Sequence, residues 1–536
     1  MERFTQEAFE QRSFQYGELL VLDDVLSLHA SKSPSPVLFA YPREDRSGGY
    51  FETFTAAQLD GYVDAAVQHL IQSGHEPKLG RVVGLIGNAN LEWVVNLFAL
   101  SRLGYTVAMM SLVQKAVGLV SLLGSAGADA IIYDTEPGTS KLVAGITALQ
   151  PRTVTTIPFV PRAVFSQPVT ARAPRFFSRQ EQTDTTALLF STSGSTGLPR
   201  PIPYRHAHIS LSTFTCATEA RSTLLSWPLS HGWGLSILLG TLYLGATCHL
   251  MDTRSALTAD SFIEALEAAR PGFLPSVPHN VALIAHDPRG LACLRAAAYV
   301  TTGGARLPDE LGTYLHEQGV NISSSMGSSE ATRNFATSMY RPPGDPAWDY
   351  LEFPPILRRH ILLDPVPANP PLHEVVLLPD FPGLSATAVN ADDGSRRTGD
   401  IMQPHDTKPD AWKFMCRDGD FIALSTAGKV LGAPLEDRLQ ASPLVAAAVV
   451  VGVGRTVPGL LVMPAGEGEE AEEGFLEAVW KLVEEVNAVV PDSWEVGRDK
   501  IGVLPRTTRL PRTDKGNIMR QRVYTDFARE IDALYA

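Results

Sequence analysis

The sequence predicts an α/β fold divided into more than one domain, and three observations lead there. Strand-like apolar runs alternate with helical patterns over residues 81–133, the signature of parallel α/β layers. The chain has 536 residues, 44% hydrophobic and 19% charged, and single cores stop growing at about 250–300 residues. Toward the end, strand-like runs at 446–451 and 459–463 precede a helix carrying Leu476, Val479, Trp480, Val483 and Val486, a separate α+β pattern.

Taken in order, Val82-Val-Gly-Leu-Ile-Gly reads as a buried strand. Asn88-Ala-Asn-Leu-Glu-Trp then opens a helix whose apolar positions Trp93, Val94, Leu97 and Phe98 recur at helical spacing until Gly104. Residues 105–110 and 130–133 are the next strands. The apolar run Ala187 to Phe190 is a further buried strand, and it empties into Ser191, Thr192, Ser193, Gly194, Ser195, Thr196 and Gly197. Glycines without Cβ atoms, hydroxyl donors and inward backbone N–H groups suit such a loop to wrapping a phosphate. It is not a Walker A loop, because Leu198 and Pro199 follow Gly197 where Lys-Ser/Thr would stand. The competing reading is a flexible Ser/Gly linker, against which stand the preceding strand and the closing Pro199-Arg-Pro-Ile-Pro run.

Further on, Trp227-Pro-Leu-Ser-His231-Gly232-Trp233 leads an apolar helical run to Gly245. His231 by itself reads equally as a packed histidine. Tyr299-Val-Thr-Thr-Gly303-Gly304-Ala305 is a strand entering a Gly-Gly turn. Ser325-Met326-Gly327-Ser-Ser329-Glu330 follows, and Glu330 alone reads as a helix-start carboxylate. Prolines crowd residues 341–382, which predicts irregular surface with short strands such as 375–378. Arg397-Thr-Gly-Asp400, Arg417-Asp-Gly419-Asp420 and Leu510-Pro-Arg-Thr-Asp-Lys515-Gly-Asn517-Ile complete the set. Gly452-Val-Gly454 lacks the third glycine of a dinucleotide fingerprint and reads as a turn.

The net charge of −13 argues against a general grip on nucleic acid. Four cysteines far apart fit a reducing compartment. With no run of 18 apolar residues and no basic-then-apolar N-terminus, a cytoplasmic protein without membrane contact is expected.

In this order the motifs resemble those of the adenylate-forming superfamily: acyl- and aryl-CoA synthetases, luciferases and nonribosomal peptide synthetase adenylation domains. The Leu424-Ser and Pro434-Leu-Glu436 stretches most resemble adenylation domains of fungal synthetase-like enzymes and carboxylic acid reductases. The resemblance implies a large N-terminal domain (1–418) of several α/β subdomains, and a small mobile α+β lid (419–536) turning on Gly419. It implies ATP held by Thr192 to Gly197, Gly304, Ala305, Ser325, Met326, Gly327, Asp400 (ribose) and Arg417, with Mg²⁺ on Glu330. His231, Gly232, Trp233, Gly303 and Gly304 would line the acid pocket, and Ser329, Glu330, His231 and Lys515 would serve catalysis. Met326 stands where the family has an aromatic residue, Gly419 where it has Asp, and Asn517 where it has lysine, so the lysine role passes to Lys515. Gly232 stands where amino-acid-activating domains carry Asp, so the expected substrate is a carboxylic acid other than an α-amino acid, with an aryl acid favoured. The acceptor is the phosphopantetheine arm of a carrier protein or CoA. A nucleotide-binding protein without turnover is the alternative of another class. The oligomeric state is not legible.

Overall fold

The computed structural model describes residues 7, 10, 18–44, 49–167, 172–193, 199–209, 220–366, 371–425, 429–465, 472–490, 492–512 and 518–536. Two largely parallel sheets organise the first part of the chain. One has six strands in the order Thr155–Pro158, Ala130–Tyr133, Val82–Ile86, Thr106–Met109, Thr186–Ser193, Pro199–Arg205, parallel except for the last pair. The expected strands thus form and pair side by side.

Between the strands Val82–Ile86 and Thr106–Met109 runs the helix Leu91–Arg102. Asn90 caps it, its side chain accepting from Trp93 N at 2.8 Å, and it ends before Gly104 at φ 78°. Trp93, Val94, Leu97 and Phe98 are buried, as their spacing demands.

The second sheet has eight strands in the order Arg333–Thr337, Ile322–Ser328, Tyr299–Gly303, Phe273–Ser276, Thr223–Leu225, Cys248–Leu250, Val37–Pro42, Phe51–Thr55. Its interior is parallel and both edge pairs are antiparallel. One core joins the two sheets through the helices, with Phe39, Val83, Phe98, Val107, Leu225 and Tyr243 in the same cluster. At its edge Arg102 is buried against Asp23 (2.7 Å), Asp64 (2.6 Å) and Asp60.

The proline-rich stretch is more ordered than its composition predicts. It supplies strands Tyr350–Leu351, Ile361–Pro365 and His373–Leu377 to a five-stranded antiparallel sheet completed by Arg396–Pro404 and Trp412–Arg417. Leu351, Phe353, Leu357, Ile361, Val375, Leu377 and Phe381 form its own core. Two of the prolines stand where no ladder N–H is needed: Pro355 begins a helical turn, and Pro365 ends an edge strand.

After the turn Asp418–Asp420 comes the hairpin Phe421–Ala423 and Lys429–Leu431. A three-stranded sheet follows, Val445–Val451, Gly459–Pro464 and Ile501–Val503, with helices Ala433–Gln440 and Glu472–Asn487. Val479 and Val483 pack on Val450, Leu460 and Val462. Gly452 and Gly454 lie in a turn at φ 140° and 72°. Among the described residues no helix is long and apolar enough to cross a membrane.

Candidate active site

Several of the singled-out residues, Gly304, Ala305, Ser329 and Glu330 among them, lie just past the carboxyl ends of parallel strands, where open α/β sheets bind ligands. The strand Thr186–Ser193 is buried over Ala187 to Phe190 and runs parallel to Thr106–Met109. Pro199 stands directly opposite Ser193 on the antiparallel partner strand. Gly194, Ser195, Thr196 and Gly197 lie outside the described residues, as do the side chains of Thr192 and Ser193. The returning strand brings Tyr204 against Phe190, with ring centroids 4.6 Å apart.

Tyr204 leads to the next element. A Cβ on Gly232 would sit 3.1 Å from Tyr204 Oη, so the position that could hold a carboxylate is pressed against a phenol instead. His231 caps the helix Gly232–Tyr243, its Nδ1 accepting from Trp233 N at 3.3 Å, which leaves the ring proton to Nε2. The ring is half-buried rather than sealed in the core. Trp227 lies 5.0 Å from His231 and, edge-on, 4.6 Å from Trp233, centroid to centroid.

Gly303 and Gly304 end the strand Tyr299–Gly303 and carry these indoles. A Cβ on Gly303 would lie 2.9 Å from the Trp233 ring, and one on Gly304, at φ 76°, would lie 2.5 Å from the Trp227 ring. Side-chain-free backbone is therefore what admits both rings. Ala305 follows, half-buried, in the turn.

The neighbouring strand Ile322–Ser328 carries Ser325, Met326 and Gly327. Ser325 Oγ donates to Thr337 Oγ1 at 3.0 Å, and Met326 packs at the margin of the cluster containing Phe335. Ser329 and Glu330 lie in a turn, not at a helix start. Ser329 O accepts from Thr332 N, and Thr332 takes a left-handed φ of 56° with its hydroxyl bonded to Gly383 O. Ser385 N holds Glu330 O at 3.1 Å, and Arg396 pairs with its carboxylate at 3.1 Å.

Arg396 opens the strand that carries Asp400, so this ion pair ties the two sheets together at the site. Asp400 is 3% exposed and opposite Arg417 in register; Arg417 Nε donates to Oδ1 at 3.1 Å, and Thr398 Oγ1 accepts from Asp400 N at 3.0 Å. Burial pushes the Asp400 carboxyl above its ordinary range against the pull of Arg417, and the charge of Glu330 adds to the push. The two carboxylates thus share one electrostatic neighbourhood.

Gly419 sits in the turn Asp418–Asp420 with nothing within 4 Å of where its Cβ would be. Neither contact nor backbone strain calls for glycine in this pose. Lys515 lies in 513–517, outside the described residues. Its flanks are paired, Arg512 bridging Ile518 and Met519 N donating to Pro511 O at 2.8 Å, and Leu510 and Ile518 pack on Val449 and Leu461. Between the part of the chain before Gly419 and the part after it, Arg306 meets Asp437, and Glu310 meets Arg438 at 3.3 Å.

Four neighbours of the site escaped the sequence reading: Tyr204, Trp227, Asn334 and Arg396. Trp227 had a signal, since it opens the motif containing His231, and Arg396 stands next to Arg397-Thr-Gly-Asp400. Tyr204 and Asn334 had none.

A nucleotide suits the donor set. Asp400 offers a buried carboxylate for a diol, and the second oxygen of Glu330 has no partner among the described residues, leaving it for a cation. Among the described residues no group of three or more His, Cys, Asp or Glu side chains gathers, so phosphate oxygens and water would complete the shell of a cation at Glu330.

Known proteins point the same way. Over 519 residues the chain is 25% identical to the adenylate-forming reductase stbB of Stachybotrys bisbyi, covering 92% of this chain and 47% of that protein. It is 23% identical to the carboxylic acid reductase of Neurospora crassa, covering 98% and 51%. The chain thus spans about half the length of the curated relatives it matches. In fold it resembles the anthranilate CoA ligase AuaEII solved with anthranoyl-AMP, at TM-score 0.75 and 18% identity over 94% of this chain and 97% of that one. It likewise resembles the adenylation domain of a carboxylate reductase from Mycobacterium chelonae, at TM-score 0.74 and 17% identity over 99% and 93%. Residues 29–354 match the AMP-binding enzyme family and residues 419–536 its C-terminal domain, so the chain belongs to the AMP-binding, adenylate-forming enzymes.

Proposed function

We propose that the protein activates a carboxylic acid other than an α-amino acid, an aryl acid in preference, by joining it to AMP and then passing the acyl group to a phosphopantetheine thiol on a carrier protein. The observation that carries this reading is the convergence of Glu330 and Asp400, from two different sheets, through Arg396. A carboxylate oxygen attacks the α-phosphorus of ATP, the bond to pyrophosphate breaks, and acyl-AMP forms. The thiol sulfur then attacks the acyl carbon, AMP leaves, and the thiol proton passes to solvent.

In the first step Asp400 accepts from the ribose hydroxyls while the segment Ser193 to Gly197 donates to phosphate. Mg²⁺ on Glu330 would offset charge on the phosphate oxygens. His231 and Trp233 border the acid, and Lys515 bridges the acid and the α-phosphate. That charge contact gains strength as negative charge builds, and removing one such contact typically costs about 10²–10³ in rate. Gly232 pressed on Tyr204 supports the exclusion of amino acids, because a substrate ammonium would have no carboxylate beside it. The scattered cysteines fit work in the cytoplasm.

Carboxylate-dependent exchange of labelled pyrophosphate into ATP, over a panel of aryl, α-keto and aliphatic acids, tests the reading. Lys515→Ala should lose exchange by about 10²–10³ while still binding ATP. No exchange with any acid would leave the alternative of a nucleotide-binding protein without turnover, suggested by Arg200, Met326, Gly419 and Asn517. Comparing CoA with a holo carrier protein as acceptor separates a free-standing ligase from a synthetase-type adenylation domain.

A further inference from the structure

Beside Trp233 and Ser325 opens a narrow recess that is continuous with solvent. Its floor is made by adjacent strands, from which Thr301, Ser325 and Thr337 face it, and Trp233, Phe273 and Tyr340 stand in its wall. An indole wall presents a flat apolar face on which an aromatic ring packs. Gly303 lets that indole come as close to the strand as backbone allows.

The floor hydroxyls are already committed. Ser325 Oγ donates to Thr337 Oγ1 at 3.0 Å, Thr337 Oγ1 donates to Ser324 O at 3.1 Å, and Thr301 Oγ1 pairs with Ser323 Oγ at 2.7 Å. Asn334 is different. It lies on the edge strand Arg333–Thr337 opposite Gly327, it is half-buried in the lining, and its amide makes no hydrogen bond to any described residue. A carboxamide brings two N–H donors and a carbonyl acceptor to a wall whose floor hydroxyls are already paired. Small-molecule sites orient their ligands through a few such groups.

We propose that the acid carries a hydroxyl or amino substituent on its ring and that Asn334 is the residue that reads it. The inference rests on the acid-activating reading above and adds to it the substituent and the residue that selects it. A hydroxyl or amine both accepts from the amide N–H and donates to its carbonyl. A ring bearing only hydrogen or methyl there would strip water from the amide and return nothing, which costs a hydrogen bond's worth of discrimination, about tenfold or more.

The test is pyrophosphate exchange by the full chain with benzoate, the three hydroxybenzoates, the three aminobenzoates, the toluates and hexanoate. The readout is the ratio of kcat/KM for the best substituted acid to that for benzoate. In the wild type it should exceed about ten, and in Asn334→Leu, which keeps the branched outline and removes the amide, it should fall toward one. Should Asn334→Leu fold poorly by circular dichroism, Asn334→Ser gives the same comparison with a smaller side chain and should also lower the ratio. A ratio that neither variant moves, or a wild type that prefers benzoate, the toluates or hexanoate, overturns the proposal and leaves acid activation standing. Absence of exchange with every acid fells acid activation itself.

Discussion

Gly304→Ala tests whether the Gly-Gly turn exists to seat the Trp227 indole beside the proposed acid pocket. The backbone at Gly304 has φ 76°, and the new Cβ would stand 2.5 Å from Cη2 of Trp227 and 3.3 Å from Cζ2. Left-handed backbone costs an L-residue about 1–2 kcal/mol. Trp227 is 4% exposed and boxed in by His231 and Trp233, so its ring must give way by several tenths of an ångström at least, an overpacking cost of about 1–3 kcal/mol.

Together these predict a loss of about 2–5 kcal/mol, a large share of a typical domain's stability. Urea unfolding followed by circular dichroism measures the loss. Tryptophan fluorescence of the folded protein and KM for the acid report the displaced ring, and KM should rise more than kcat falls. Gly419→Ala is the comparison, with open space and no left-handed φ, and should stay within about 0.5 kcal/mol of the wild type. If Gly304→Ala unfolds at the wild-type urea concentration with unaltered fluorescence and KM, the packing argument for this turn is wrong.

Two further outcomes follow from the small domain. Gly419→Pro locks φ at a turn expected to swivel between the two half-reactions, so exchange should persist while thioester formation falls; equal loss or retention of both would remove the pivot from Gly419. At the domain contact, burial pushes Asp437 up to about 6, against the pull of Arg306 and with Asp309 and Glu436 adding to the push. An acid raised in this way bears no penalty below its ordinary value near 3.8, a penalty that grows from there to about 6, and a constant one above. Docking of the small domain through Arg306 and Asp437 should therefore tighten as pH falls from about 6 toward 4, opposite to the behaviour of an exposed ion pair. Fluorescence transfer between dyes on the two domains would follow it, Asp437→Asn should flatten the dependence, and docking that tightens with rising pH would contradict the assignment.

Local pattern was enough to place the strands Val82–Ile86 and Ala130–Tyr133 and the helix Leu91–Arg102, because periodicity and an Asn cap act within a few residues. The site motifs were named through the resemblance to one family's ordered motifs; taken singly, their Gly and hydroxyl residues also fit ordinary turns. The ordered sheet built from the proline-rich stretch was not legible. Its strands are held by ladder partners far away in sequence, and prolines at strand ends look the same as prolines in loops.

What the linear order by itself determined was which chemical groups are present and that they follow one family's sequence of motifs. Only tertiary structure decided which of them meet. Arg396 binding Glu330, Tyr204 against Gly232, Trp227 over Gly304 and Asn334 facing the recess are contacts between separate strands, helices and turns. Such meetings depend on sheet register and close packing, and no periodicity along one segment encodes the distance to another.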